Sequence, residues 1–262
     1  MNLTLYLIQG LTAILSSSSL PLSTTQFRAL TSPFLPRFST TTPLPGVHSL
    51  LTRLSTTYPH LSLAIASSSS RELFTTKTAH IPIISATIAG VKSVFGDDEA
   101  MKGKGKKPAP DVFLVALGQV NAEIGREGEG GREGDGGRGD VKGEGRLEDE
   151  EGNGGGQVNE SVEGPITPEE CLVFEDSIAG VEAARRAGMR VVWVPPPKLL
   201  DLCQGWLDEV LAGRMLQEAD QVGEVRPRAS EVFPKGVVRR SEDGWATCID
   251  SLENFDYGVL NR

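Results

Sequence analysis

Apolar positions change period several times along the chain. Cys171, Leu172, Val173 and Phe174 follow one another without a polar residue, the pattern of a strand buried on both faces of a parallel sheet. Behind them Ile178, Val181 and Ala184 recur at helical spacing. Ser177 is placed to cap that helix and Gly188 to stop it. A second apolar run over 191–194 ends against Pro195, Pro196 and Pro197. Upstream, Val47, Leu50, Leu51 and Leu54 lie at i, i+3, i+4 and i+7, which predicts an amphipathic helix ended by Tyr58 and Pro59. A strand is predicted over 61–66, with the serines at 67–70 opening the next helix. Residues 77–96 read as an irregular segment that ends in a short strand near 91–95. A helix is predicted over 111–120, with Val112, Val115 and Ala116 on one face. Residues 199–219 read as helical with breaks at Gly205 and Gly213, and 247–249 as a last short strand. The modest apolar stretch over 3–15 is too short and too interrupted to span a bilayer, and reads as a helix remnant. Alternating strands and helices imply an α/β fold, a Rossmann-like parallel sheet with flanking helices. Right-handed crossovers then bring Ser67, Lys107, Glu175 and Asp176 to one edge of that sheet.

Composition adds a division of the chain. Across residues 125–156, 14 of 32 positions are glycine and most others are charged. Such a segment cannot bury enough apolar area to offset its ordering entropy. Residues 122–164 are therefore predicted to be a disordered insertion within a core formed by 45–121 and 165–262, with 1–44 as a separate N-terminal segment. Acids outnumber arginines in the insertion and no aromatic side chain is there to stack on bases, which argues against a nucleic-acid role. The net charge of −9 points the same way, against nonspecific nucleic-acid and anionic-membrane binding. Residues 1–71 hold Arg28, Arg37, Arg53 and Arg71 but no acid, and are rich in Ser and Thr. That composition leaves a mitochondrial location open beside a cytoplasmic one. Cys171, Cys203 and Cys248 are widely spaced and suit buried thiols in a reducing compartment.

The candidate chemistry lies at predicted strand ends. Glu175 and Asp176 follow an apolar strand, where paired acids suit Mg²⁺. They also suit the positive end of a helix dipole, with no metal at all. Ser67 and Ser68 open a helix and could donate to an anion or simply cap it. Lys107, with Lys106 as the alternative, closes a basic run and precedes Pro108, Ala109, Pro110 and Asp111. Asp97 and Asp98 after Gly96 are a second tier of acids that could equally be a turn.

Three of these segments, taken in order, resemble the motifs of the haloacid dehalogenase-like hydrolases. The apolar run ending at Ser67 looks like motif two, Lys107-Pro108-Ala109-Pro110-Asp111 like motif three, and Glu175-Asp176-Ser177 with its helix like motif four. Pro45-Gly46-Val47 and Ser251-Leu252-Glu253-Asn254-Phe255 also fit. The resemblance covers about residues 45–121 and 165–258, and is strongest to phosphatases of small sugar and polyol phosphates, including pseudouridine-5′-phosphatase and glycerol-1-phosphatase. It implies a Mg²⁺-dependent phosphomonoesterase acting on a small phosphorylated metabolite. In that reading Ser67, Ser68 and Lys107 bind phosphate, Glu175 and Asp176 hold the metal, and Asp97 and Asp98 lie nearby.

The family's motif one, a strand ending in Asp-x-Asp-Gly, supplies the attacking aspartate and the general acid. No Asp-x-Asp occurs in this chain, and its first acidic residue is Glu72. The resemblance therefore predicts a core incomplete at its N-terminus, with 1–44 as a remnant of a helical cap, exposed strand edges, poor solubility and an inactive enzyme. The alternative is a noncatalytic phosphate- or Mg²⁺-binding scaffold. A response-regulator-like domain fits less well, since it needs aspartates after an early strand.

Overall fold

The computed structural model describes residues 2–5, 37–130, 164–215 and 238–261. Its centre is one seven-stranded sheet in the order β3-β2-β1-β4-β5-β7-β6. The strands are β1 (Asn2–Leu5), β2 (Leu63–Ser67), β3 (Lys92–Phe95), β4 (Cys171–Glu175), β5 (Arg190–Trp193), β6 (Arg239–Arg240) and β7 (Ala246–Cys248). All neighbours pair in parallel except the short edge strand β6, which is antiparallel to β7.

The predicted gap at the centre of the sheet is not there. β1 lies between β2 and β4, with Leu3 opposite both Leu63 and Leu172, and Thr4 opposite both Ala64 and Val173. Residues 2–5 are therefore strand and not the start of a helix remnant; the rest of that stretch lies outside the described residues. Backbone pairing explains the difference. Two neighbouring strands offer unpaired N–H and C=O groups, and an Asn-Leu-Thr-Leu tetrapeptide satisfies them without needing a strong strand signature of its own. The expectation of exposed central edges is corrected accordingly.

Side chains alternate across the sheet and feed two cores. On one side Cys171, Val173, Val191 and Trp193 pack with Val112, Phe113, Val181 and Leu211. On the other, Leu172, Phe174 and Val192 pack with Val47, Leu50, Leu51, Leu54, Ile84 and Phe255. The first side is covered by α4 (Asp111–Gly130), α5 (Ile178–Arg186), α6 (Pro197–Leu202) and α7 (Leu207–Ala212). The second is covered by α1 (Val47–Thr57) and α3 (Pro82–Ala89). The remaining helix, α2 (Arg71–Thr78), follows directly on β2. Helices on both faces of a parallel sheet are the layered arrangement that continuous apolar strands demand.

The amphipathic helix at 47–57 forms as predicted. Gly46 precedes it at φ 86°, and a side chain there would run into the backbone of Leu252 and Glu253. That close approach accounts for a glycine in this turn. Three predicted elements differ. Residues 82–89 are a helix rather than irregular: Pro82 occupies its first position and Gly90 follows its end. The helix expected to stop at 120 continues to Gly130. Ile124 packs on the core and Lys92 forms an ion pair with Glu123, so tertiary contacts outweigh glycine's poor helix propensity there. The insertion thus leaves the core later than predicted, and residues 131–163 lie outside the described residues. The helix expected over 199–219 is α6, a 3₁₀ turn over Gln204–Trp206 and then α7, which ends at Gly213.

The two ends of the insertion meet. The Asn121 side-chain amide donates to the Ile166 carbonyl at 2.9 Å and accepts from the Ile166 N–H at 2.8 Å. Beside this neck a capping box joins Thr167 and Glu170, with the Thr167 N–H donating to Glu170 at 2.7 Å.

Candidate functional site

The carboxyl ends of β2 and β4 carry the candidate site. Thr4 of β1 is opposite Ala64 on one side and Val173 on the other. Three residues further along each strand direction, Ser67 and Asp176 come level, about 10 Å apart by two strand spacings. Lys107 and Glu175, the residue before Asp176, form an ion pair, with side chains only 3% and 1% exposed. Lys107 also lies over the Phe113 ring, with Nζ 4.7 Å from its centroid. The peptide between Lys107 and Pro108 is cis.

Glu175 has both oxygens committed. Oε1 meets Lys107, and Oε2 accepts from the Ser177 hydroxyl at 3.0 Å and from the Ser177 N–H at 3.3 Å. The Ser177 oxygen in turn accepts from the Gly180 N–H at 3.0 Å, capping α5 as the sequence predicts. Sequence reasoning missed the need for Gly180. A β-carbon there would overlap the Glu175 carboxyl group, so only glycine lets the buried acid lie against the first turn of the helix. It also missed Trp193, whose indole N–H donates to the Asp176 carbonyl at 3.2 Å and so fixes the loop after β4. The signal was a single aromatic residue within an apolar run, which identifies a core position and no more.

Ser67 is 3% exposed, and its hydroxyl accepts from the Ser69 N–H at 3.2 Å. Ser68 is half-buried in the same turn. Ser70 caps α2, accepting from the Leu73 N–H at 3.2 Å. The second-tier acids brace this turn from β3. Asp97 accepts from the Arg71 N–H at 2.9 Å, and Asp98 takes the Arg71 guanidinium on both oxygens and the Phe95 N–H on one. Lys106 is exposed, and Lys107 is the lysine that reaches the site.

The donor chemistry bears on Mg²⁺. Among the described residues no group of three His, Cys, Asp or Glu side chains comes together as a metal cage. Glu175 is already coordinated by Lys107 and Ser177. Asp176 is the other carboxylate of the predicted pair. One carboxylate with water and phosphate oxygens is the smallest set on which Mg²⁺ is held.

Comparison with known proteins follows from this geometry. No family model matches the chain. It is 27% identical over 199 residues to an uncharacterized protein of Schizosaccharomyces pombe, a match covering 76% of this chain and 65% of that one. It is 28% identical over 172 residues to a probable pseudouridine-5′-phosphatase of Saccharomyces cerevisiae, covering 65% of this chain and 54% of that one. The chain thus spans less than two thirds of the length of either relative. Among solved structures it is similar to a haloacid dehalogenase-like protein of Agrobacterium tumefaciens, with 19% identity, a TM-score of 0.44, and coverage of 80% of this chain and 75% of that one. The fold is a Rossmann-type α/β sheet.

Proposed function

We propose that this chain binds the phosphate group of a small sugar or polyol phosphate and, as written, does not hydrolyse it. The observation that carries this reading is the buried Lys107–Glu175 pair at the end of β4, in a sheet whose register brings the ends of β2 and β4 level. Lys107 provides a point charge for a phosphoryl oxygen, as a compact ammonium does. Glu175 positions Lys107 and, through Ser177, the start of α5. Ser67, with the backbone behind it, donates to the anion. Asp176 would hold Mg²⁺, which when bound supplies charge neutralisation at the phosphate.

The attacking group is what the chain lacks. β1, in the central place between β2 and β4, consists of Asn2, Leu3, Thr4 and Leu5, and no acid precedes Glu72. A carboxylate-free strand in that position favours binding without turnover over a catalytic cycle. The test compares phosphate binding by calorimetry with turnover of a generic aryl phosphate in Mg²⁺. Binding that weakens in Lys107→Met, with turnover near background, supports the proposal. Substantial turnover abolished by Asp176→Asn would show that another carboxylate attacks, and would overturn the inactive reading.

A further inference from the structure

The chain beyond β4 is tied to β5 on both sides of one residue. The Val194 N–H donates to the Glu175 carbonyl at 2.7 Å, and the Trp193 indole N–H donates to the Asp176 carbonyl at 3.2 Å. Those carbonyls belong to the two peptide planes that flank the Asp176 Cα. A peptide is planar, so holding both planes sets the direction in which the Asp176 side chain leaves the backbone. The second plane has one more tie, from the Ser177 N–H to Glu175 Oε2 at 3.3 Å. That tie runs through the carboxylate that pairs with Lys107. The indole bond does not, so it holds Asp176 independently of the Lys107–Glu175 pair.

Packing alone does not call for tryptophan at this position. Trp193 is fully buried, and its neighbours Val191, Val192 and Val194 fill their places with hydrocarbon only. A phenylalanine would supply most of the same apolar area with no polar atom to satisfy. What the indole adds is a donor, and a buried donor needs an acceptor. Here the acceptor is the main chain of Asp176. We infer that Trp193 is a positioning residue, which holds Asp176 in the direction from which its carboxylate meets Mg²⁺ beside the phosphate. This inference rests on the phosphate-binding reading above and on its assignment of Mg²⁺ to Asp176, and it adds a residue that acts only through that acid.

The test titrates inorganic phosphate, with and without Mg²⁺, into the full chain, Trp193→Phe, Asp176→Asn and the double variant, with folding followed by near-ultraviolet circular dichroism. In the parent Mg²⁺ should tighten phosphate binding. Trp193→Phe should bind phosphate like the parent without Mg²⁺, because the Lys107–Glu175 pair is untouched. The Mg²⁺ concentration that gives half of the tightening should rise about tenfold in it, the worth of one buried hydrogen bond. In the Asp176→Asn background the same change should have no further effect. A folded Trp193→Phe that responds to Mg²⁺ like the parent overturns the inference and leaves the phosphate reading standing. Affinity that falls equally with and without Mg²⁺ does the same, since it marks a purely structural role. A parent that binds phosphate but ignores Mg²⁺ removes the metal from Asp176, and the inference with it. A parent that binds no phosphate overturns the phosphate reading as well. If Trp193→Phe does not fold, a chain carrying Trp206→Phe and Trp245→Phe keeps Trp193 as its single indole. Its emission should shift when Mg²⁺ and phosphate are added, and should not shift once Asp176→Asn is introduced. An emission that ignores Mg²⁺ overturns the inference.

Discussion

Gly180 shows how much one hydrogen atom decides at this site. In the first turn of α5 an alanine would ordinarily be preferred by about 1 kcal/mol. Here the added methyl would occupy the space of the Glu175 carboxyl group. Overpacking a filled site costs about 1–3 kcal/mol, and pulling Glu175 away from Lys107 strands a buried charge, a loss of about 3–5 kcal/mol. The steric and electrostatic terms win. Gly180→Ala should lower stability by roughly 2 kcal/mol or more in denaturant titration, and should weaken phosphate binding as Lys107→Met does. An alanine variant as stable as the parent would mean that Glu175 has another place to lie. Lys77 makes the opposite case. Its folded pKa is lowered, chiefly by burial. The unfolded chain then binds the proton more readily, so this residue's cost to stability is greatest at neutral pH and fades as pH rises through its folded pKa. Lys77→Met should therefore raise the stability measured by denaturant titration at neutral pH, by an amount on the order of 1 kcal/mol, and the gain should shrink in alkaline buffer.

At the level of elements, the sequence announces what local physics controls. The apolar runs at 171–174 and 191–194 and the helical spacing at 47–54 are each strong enough to fix their own structure, and β4, β5 and α1 follow them. β1 was not legible because the sheet, not the tetrapeptide, selects its conformation. α4 outran its prediction because Glu123 and Ile124 find partners distant in sequence. Ser67, Lys107, Glu175 and Asp176 could be named from motif order. The contacts around them, from Trp193 and Gly180, depend on the folded chain and leave no periodic trace. The neck of the insertion belongs to this scale. Asn121→Ala leaves the Ile166 N–H and C=O without their partner, a loss of about 1–3 kcal/mol. Replacing residues 126–163 by about six Gly/Ser residues, which span roughly 20 Å, should leave the melting temperature within a few degrees, because Asn121 and Ile166 already hold the ends together. A large drop would show that the removed residues stabilise the core. Glu170 beside the neck is held below the usual carboxylate range, chiefly by the Thr167 N–H. Its contribution is present above the ordinary carboxylate range and is lost as pH falls through its folded pKa. Glu170→Gln should flatten the acid limb of a stability–pH curve slightly, by about 0.5 kcal/mol or less for so exposed a group.

The molecule as a whole keeps its thiols inside. Cys171, Cys203 and Cys248 are free and buried. Burial pushes their thiols up, to about 12 for Cys171, about 11 for Cys203 and about 12 for Cys248. Reactive thiolate is correspondingly scarce, so alkylation at neutral pH should run at least ~100-fold slower than for an unfolded peptide. All three should become reactive together across the denaturation transition, as a single cooperative core requires. Rapid labelling of one cysteine in native buffer would reveal local opening at its strand or helix.

The neck has a consequence for how the molecule could be divided. A break between residues 130 and 164 separates β1, β2 and β3 from β4, β5, β6 and β7, and the seam between the pieces is the β1–β4 ladder. The same break parts the candidate site: Ser67 and Lys107 fall in one fragment, and Glu175 and Asp176 in the other. Neither fragment holds both halves of the Lys107–Glu175 pair. Two separately made polypeptides should therefore recover phosphate binding only on reassociation, and the ligand would then act as the glue that reports their union.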